Sequence, residues 1–194
     1  SMLDLDFGTY PYVTSSHPAG GGVCIGAGIG PTMIDEVIGI AKTYTSRVGK
    51  GPFPSELRDE TGDAIREKGN EYGTTTGRPR RIGWFDAVVV KLACRVNSLS
   101  SLVVNCTDVI AGFDKVKMCV AYEKAGRRIV DFPANLDELA EIKPVYEEFE
   151  GWSEKNLSGV KGRSSLPDGL EKFIRRIEQI CDTRVSMIGT GRGR

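Results

Sequence analysis

The chain has 194 residues, 40% hydrophobic and 27% charged, enough for one globular domain with a buried core, or one and a half at most. Lys+Arg and Asp+Glu balance at 26 each, which disfavours nucleic acid, because a duplex-binding protein carries a basic excess or stripe. No apolar run approaches the ~18 residues of a membrane span, and no signal-peptide pattern opens the chain. Ser1-Met2 reads as a cloning remnant ahead of a natural segment, the start expected of a fragment.

Taken in order, Thr9 to Ser16 reads as a strand running into a turn, followed by a glycine-rich loop to Gly30. Pro31 suits the first turn of a helix carrying Met33, Ile34, Val37, Ile38 and Ala41. A second helix covers Thr61 to Lys68 and ends at Gly69; Asp86 to Asn97 is a third, with Val89, Val90, Ala93, Cys94 and Val96 inward. Leu102 to Val104 is a short apolar strand ending at the polar Asn105. Val116–Tyr122 and Arg128–Phe132 form a hairpin around Ala125-Gly126, and Pro144–Phe149 alternates as an edge strand. The strongest helix is Leu166 to Cys181, with apolar residues at 166, 170, 173, 174, 177, 180 and 181; Ser165 takes the N-cap position and Asp168 stands three residues on. Val185 to Ile188 returns as a strand. This alternation, with antiparallel pieces, makes the expected class α/β.

Five scattered cysteines without a C-x-x-C pair suit buried thiols in a reducing compartment, so the cytoplasm is the expected location. The single histidine, His17, has no evident acid partner in the sequence, and no metal-ligand cluster is expected. Asn105-Cys106-Thr107-Asp108 follows a strand. There Asp108 either caps a turn or accepts two parallel N–H bonds from guanine N1 and N2, which adenine lacks. Thr74-Thr75-Thr76-Gly77-Arg78-Pro79-Arg80-Arg81 places three hydroxyls before three guanidiniums. It is either an anion site for a small ligand or a solvated basic turn. Mutual repulsion of the three arginines is expected to keep that loop mobile until an anion neutralises it. Thr14-Ser15-Ser16-His17 is a hydroxyl-rich turn that can also hold phosphate oxygens. No G-x-x-x-x-G-K-[ST] loop is present, so the residues alone describe a nucleotide- or anion-binding module without a complete active site.

The sequence resembles the carboxyl-terminal half of adenylosuccinate synthetases. The resemblance is carried by Asp6 to Ser16, by Arg47 to Leu57 with Asp59 to Gly62, by Glu71 to Trp84, by Val116 to Tyr122 and by Gly151-Trp152, in that order. It implies that residues 1–194 are the carboxyl-terminal part of a mixed-sheet, P-loop-NTPase-like fold with an α+β subdomain, lacking the amino-terminal phosphate-loop half. It implies GTP-dependent ligation of inosine monophosphate (IMP) and L-aspartate, with Mg²⁺, by a cytoplasmic homodimer in purine nucleotide biosynthesis. Thr14 and Arg78 would bind IMP. Thr74, Thr75, Thr76, Gly77, Arg78, Pro79 and Arg80 would bind aspartate. Arg80, Cys106, Thr107, Asp108, Gly189, Thr190 and Gly191 would bind GTP. No catalytic residue or metal ligand is expected in this chain, which alone is expected to be inactive; a non-catalytic binding module is the alternative. Two positions depart from the family pattern: Cys106 stands where lysine is usual, covering less of the base, and Gly189 replaces a frequent serine. Arg192-Gly193-Arg194 follows where the family usually has proline and several further residues.

Overall fold

The computed structural model describes residues 1–157 and 159–191, so the closing Arg192-Gly193-Arg194 lies outside the described residues. The chain runs α1 (Gly22–Ala27), β1 (Ile38–Lys42), β2 (Tyr44–Arg47), β3 (Glu56–Leu57), α2 (Glu60–Gly69), β4 (Arg81–Asp86) and α3 (Ala87–Asn97). It continues through β5 (Ser101–Asn105), β6 (Lys115–Lys124), β7 (Arg127–Ile129), α4 (Leu136–Glu141), β8 (Lys143–Glu150), α5 (Glu154–Leu157), α6 (Asp168–Cys181) and β9 (Val185–Ile188). The first sheet is parallel throughout, in the order β1-β5-β9. The second is mixed: β2, β4, β6 and β7 in sequence, with β3 on β4 and β8 on β6, and β4–β6 its one parallel pair among the described residues. The expected α/β class with mixed sheets is what the chain adopts.

The amphipathic α6 nails the core. Leu170, Phe173, Ile174 and Ile177 are fully buried, and Phe173 meets Phe149, Phe85 and Trp152 edge-on at centroid distances of 5.3, 5.6 and 6.0 Å. Edge-to-face contacts of this kind add about 0.5–1.5 kcal/mol each beyond burial. The helix begins later than its periodicity suggests. Pro167 is the N-cap, Arg163–Ser165 forms a 3-10 turn, and the Ser165 hydroxyl donates to Gly162 O at 2.8 Å. Proline's fixed φ starts the helix without a side-chain cap. α2 and α3 are capped by carboxylates instead: Asp59 accepts from Gly62 N at 3.0 Å, and Asp86 accepts from Val88 N and Val89 N at 3.1 Å.

Three local expectations fail. Thr9–Ser16 is no strand but a series of turns, its backbone bonded within itself and to residues 2–5 in place of a ladder partner, as in Thr9 N to Met2 O and Thr14 N to Leu3 O, with Arg47 bracing it. Arg47 Nη2 donates to Thr9 Oγ1 and to Tyr12 O, both at 3.0 Å. The glycine-rich stretch contains α1. Finally, residues 31–41 give a single 3-10 turn, Pro31–Met33, and then strand β1. Apolar residues there stay outside as well as in, with Ile38 46% and Ile40 73% exposed, so the helical spacing marks a sheet face. β-Branched isoleucines suit that pleated surface better than a helix.

Candidate functional site

Parallel strands deliver their carboxyl ends to one edge, where open α/β sheets bind ligands. Here that edge carries Lys42 of β1, Asn105 of β5 and Ile188 of β9. The turn after β5 and the residues after β9 are bonded together: Gly189 N donates to Val104 O at 2.8 Å, and Thr107 Oγ1 donates to Gly189 O at 2.8 Å. Trp152 Nε1 reaches Thr107 O at 2.8 Å and so fixes the turn to the core beside Phe173. Cys106 adopts a φ of +62°, its carbonyl accepting from Thr43 Oγ1 at 2.8 Å, and burial pushes its thiol pKa up. Asp108 is half-buried, and among the described residues its carboxylate takes neither hydrogen bond nor ion pair. A Cβ at Gly189 would fall 2.5 Å from Asn105 Oδ1, so the serine usual in the family would require the Asn105 amide to turn aside. The residues expected to read and wall a base thus come together: Cys106, Thr107 and Asp108 with Gly189, Thr190 and Gly191.

The Thr74–Arg80 segment is a hairpin. Arg80 N donates to Glu71 O at 2.9 Å, Gly73 N to Arg78 O at 2.8 Å and Gly77 N to Gly73 O at 2.8 Å. Gly77 turns the tip at a φ of +63°, a conformation that favours glycine. Thr74, Thr75, Thr76, Arg78 and Pro79 are exposed on it. The expected repulsion among three guanidiniums is not what the fold presents. Arg81 is bidentate on Glu56, at 2.6 and 2.8 Å, and also donates to Gly51 O at 2.8 Å; Arg80 Nη1 donates to Glu71 Oε2 at 2.7 Å. Two of the three guanidiniums thus have a carboxylate partner within the fold, leaving Arg78 without one among the described residues.

Glu71, Lys42 and Tyr44 form a bonded cluster beside the hairpin that sequence reading missed. Glu71 is buried, and its carboxylate accepts from Lys42 Nζ, from Tyr44 Oη at 2.6 Å and from Arg80. Burial raises its pKa, but these three bonds outweigh burial and hold it below the ordinary range. Burial and the same carboxylate hold the Tyr44 phenol well above its usual value. The available signal was Lys42 at a strand's end, which a helical reading of residues 31–41 hid.

Thr14 is exposed between two bends, its hydroxyl donating to Leu3 O at 2.8 Å and lying 2.9 Å from Ser16 Oγ. Its proton is therefore committed, and gripping a phosphate requires the hydroxyl to turn outward. Leu3, Thr9, Arg47, Val48 and Arg80 line a cavity of about 260 Å³ next to it.

His17, expected to lack an acid partner, has two: Nδ1 lies 3.4 Å from Asp6 Oδ2 and 4.0 Å from Asp4 Oδ1. The three form a group within metal-ligand reach that the sequence did not reveal. They do not fit Mg²⁺. Both Asp4 oxygens already accept backbone N–H groups, from Asp6, Phe7 and Ala19 at 3.0–3.2 Å, and imidazole is a poor partner for so hard a cation. No helix among the described residues is long and apolar enough to cross a membrane.

A family model described as adenylosuccinate synthetase matches residues 1–194. The adenylosuccinate synthetase of Acetivibrio thermocellus is 57% identical over 194 residues, covering all of this chain and 46% of its own length. That of Clostridioides difficile is 54% identical over 194 residues, again covering all of this chain and 45% of its own. The solved structure of the fully ligated adenylosuccinate synthetase from Plasmodium falciparum matches with a TM-score of 0.92 at 40% identity, over 98% of this chain and 46% of that one. The chain thus spans about half the length of the curated relatives it matches. Over its whole length, it belongs to the adenylosuccinate synthetase family.

Proposed function

We propose that this chain is the carboxyl-terminal portion of a cytoplasmic, homodimeric adenylosuccinate synthetase, which joins IMP and L-aspartate at the expense of GTP in purine nucleotide biosynthesis. In the first step the γ-phosphoryl of GTP passes to the 6-oxygen of IMP, giving GDP and converting a poor leaving group into a good one. The aspartate amine then attacks C6, phosphate departs and the nitrogen loses a proton, giving adenylosuccinate. Mg²⁺, which neutralises phosphate charge in such transfers, takes no ligand from the Asp4–Asp6–His17 group.

The parts assigned to this chain are grip and orientation. Asp108 accepts the guanine N1–H and N2–H while Cys106, Thr107, Gly189, Thr190 and Gly191 flank the base. The exposed hydroxyls of Thr74, Thr75 and Thr76, with Gly77, Arg78, Pro79 and Arg80, close over the aspartate carboxylates. Arg78 also reaches the IMP ribose, Thr14 its phosphate, and Arg80 stands between aspartate and the GTP phosphates. One observation carries the reading: Asp108, a carboxylate unengaged among the described residues, follows β5 on the same sheet edge as an arginine hairpin joined to that edge through Glu71 and Lys42.

The test is adenylosuccinate formation from IMP, aspartate, GTP and Mg²⁺. The intact protein, expressed from its complete reading frame, is expected to turn over, and residues 1–194 alone to be silent. Product from the 194-residue chain would overturn the division of labour. Absence of product from the intact protein, with nucleotide binding retained, would favour the non-catalytic module.

A further inference from the structure

We infer, on the footing that Arg80 meets aspartate, that Glu71 is a positioning residue: it aims the Arg80 guanidinium at the incoming carboxylate and couples that hairpin to the base-reading turn. The geometry is a matter of counting donors. A guanidinium offers five N–H groups in a rigid fork. Glu71 takes Arg80 by Nη1 at 2.7 Å, Nε is buried without a partner, and among the described residues Nη2 makes no hydrogen bond. The fork is held by one nitrogen, which leaves Nη2 free among the described residues to meet an oxyanion and the buried Nε with bonding capacity to spare. Two cations, Lys42 and Arg80, share the one carboxylate, so the cluster keeps a net charge of +1 to offer an anion.

The second arm of the cluster points the other way. Lys42 and Tyr44, both bonded to Glu71, flank Thr43. Thr43 is fully buried and ties down the other turn: its N donates to Asn105 O at 3.0 Å and its Oγ1 to Cys106 O at 2.8 Å. One buried side chain therefore fixes both the guanidinium and the strand end on which the base turn rests. The Glu71 backbone closes the hairpin separately, through Arg80 N and Arg66 O. Exchanging the side chain thus probes the carboxylate and not the turn.

The experiment is steady-state kinetics of the intact protein carrying Glu71→Gln, Arg80→Lys and both. Glu71→Gln keeps the shape and an acceptor but removes the charge that orients the fork. The KM for aspartate is expected to rise about tenfold, the loss of one charge-assisted bond, with the KM for IMP changed less than about threefold. In the Arg80→Lys background the same change is expected to add less than about twofold, because the fork it aims is already gone. Equal increases in all three substrate constants, or full additivity of the two changes, would reduce Glu71 to a structural residue and overturn the inference. If Glu71→Gln does not fold, Glu71→Asp retains the charge on a shorter arm and is read the same way. An aspartate constant unmoved by Arg80→Lys would instead bring down the assignment of Arg80 itself, and Glu71 with it. An effect of Arg80→Lys without one of Glu71→Gln would sink the Glu71 inference alone.

Discussion

The arginine hairpin and the turn after β5 handle charge in opposite ways. In the hairpin, cations are dense and two of three are already answered: Arg81 by both oxygens of Glu56, Arg80 by one oxygen of Glu71. In the turn, charge is sparse, and the one carboxylate, Asp108, is left unengaged among the described residues while Cys106 O, Thr107 O and both backbone groups of Gly189 beside it are anchored. A charged side chain fully paired within the fold holds the site together, and breaking the pair is felt as stability. A side chain with an edge left over is where a ligand is met, and its loss is felt in ligand constants. The contrast sorts neighbours that look alike in sequence, Arg80 from Arg81 and Asp86 from Asp108.

The largest effect is expected where a carboxylate is wholly committed. Asp86 is buried, caps α3 through two N–H bonds and accepts from Tyr122 Oη at 2.8 Å; burial pushes its pKa up to about 6. Asp86→Ala removes the cap and strands a buried hydroxyl, so unfolding is expected to become easier by about 3 kcal/mol in denaturant titrations. Because the folded pKa is raised, the contribution of this group is fully present below about pH 4 and is lost as pH rises through about 6. Asp86→Asn, which still caps, is therefore expected to gain about 2–3 kcal/mol on the parent protein between pH 4 and pH 7. A constant difference across that window would contradict the buried ionisation.

Arg81→Lys comes next. Lysine cannot reproduce the two-bond fork on Glu56, so about 1 kcal/mol of stability is expected to go while the aspartate constant stays where it was. A rise in the aspartate KM with unchanged stability would erase the distinction between the two arginines. The smallest effect is expected at Cys106. Cys106→Lys supplies a stem to lie over the base, and guanine nucleotide affinity is expected to improve about threefold, roughly 0.5–1 kcal/mol of cation–π and packing contact. Calorimetry showing weaker binding would place the base elsewhere than over residue 106.

Much of this division was readable in the sequence because it depends on local pattern. The α6 stripe, the Ala125-Gly126 hairpin and the short run into Asn105 all fold as their spacing implies. So does the grouping of 105–108 with 189–191, through the resemblance of the whole chain to its family. What stayed hidden was made by pairing across distance. Glu71 lies nine residues from Arg80 and 29 from Lys42, and no spacing rule links them until β1 is known to be a strand. Residues 31–41 were opaque for the same reason: an apolar face left outside at Ile38 and Ile40 imitates a helical period. His17 gained its acid partners through a turn that Asp4 folds around its own carboxylate.

The claim that unengaged charge marks ligand contact is tested most directly at Asp108. In the intact protein, competition of GTP against ITP and ATP is to be measured for the parent and for Asp108→Asn. Asparagine offers one acceptor and one donor where guanine presents two donors. GTP affinity is therefore expected to fall by about 1.5–3 kcal/mol, roughly ten- to hundredfold, with ITP, which lacks the 2-amino group, losing less and ATP unchanged. Stability in denaturant is expected to stay within about 0.5 kcal/mol of the parent. An unaltered preference for GTP, or a loss of folding stability in its place, would show that Asp108 is a committed structural carboxylate and contradict the account.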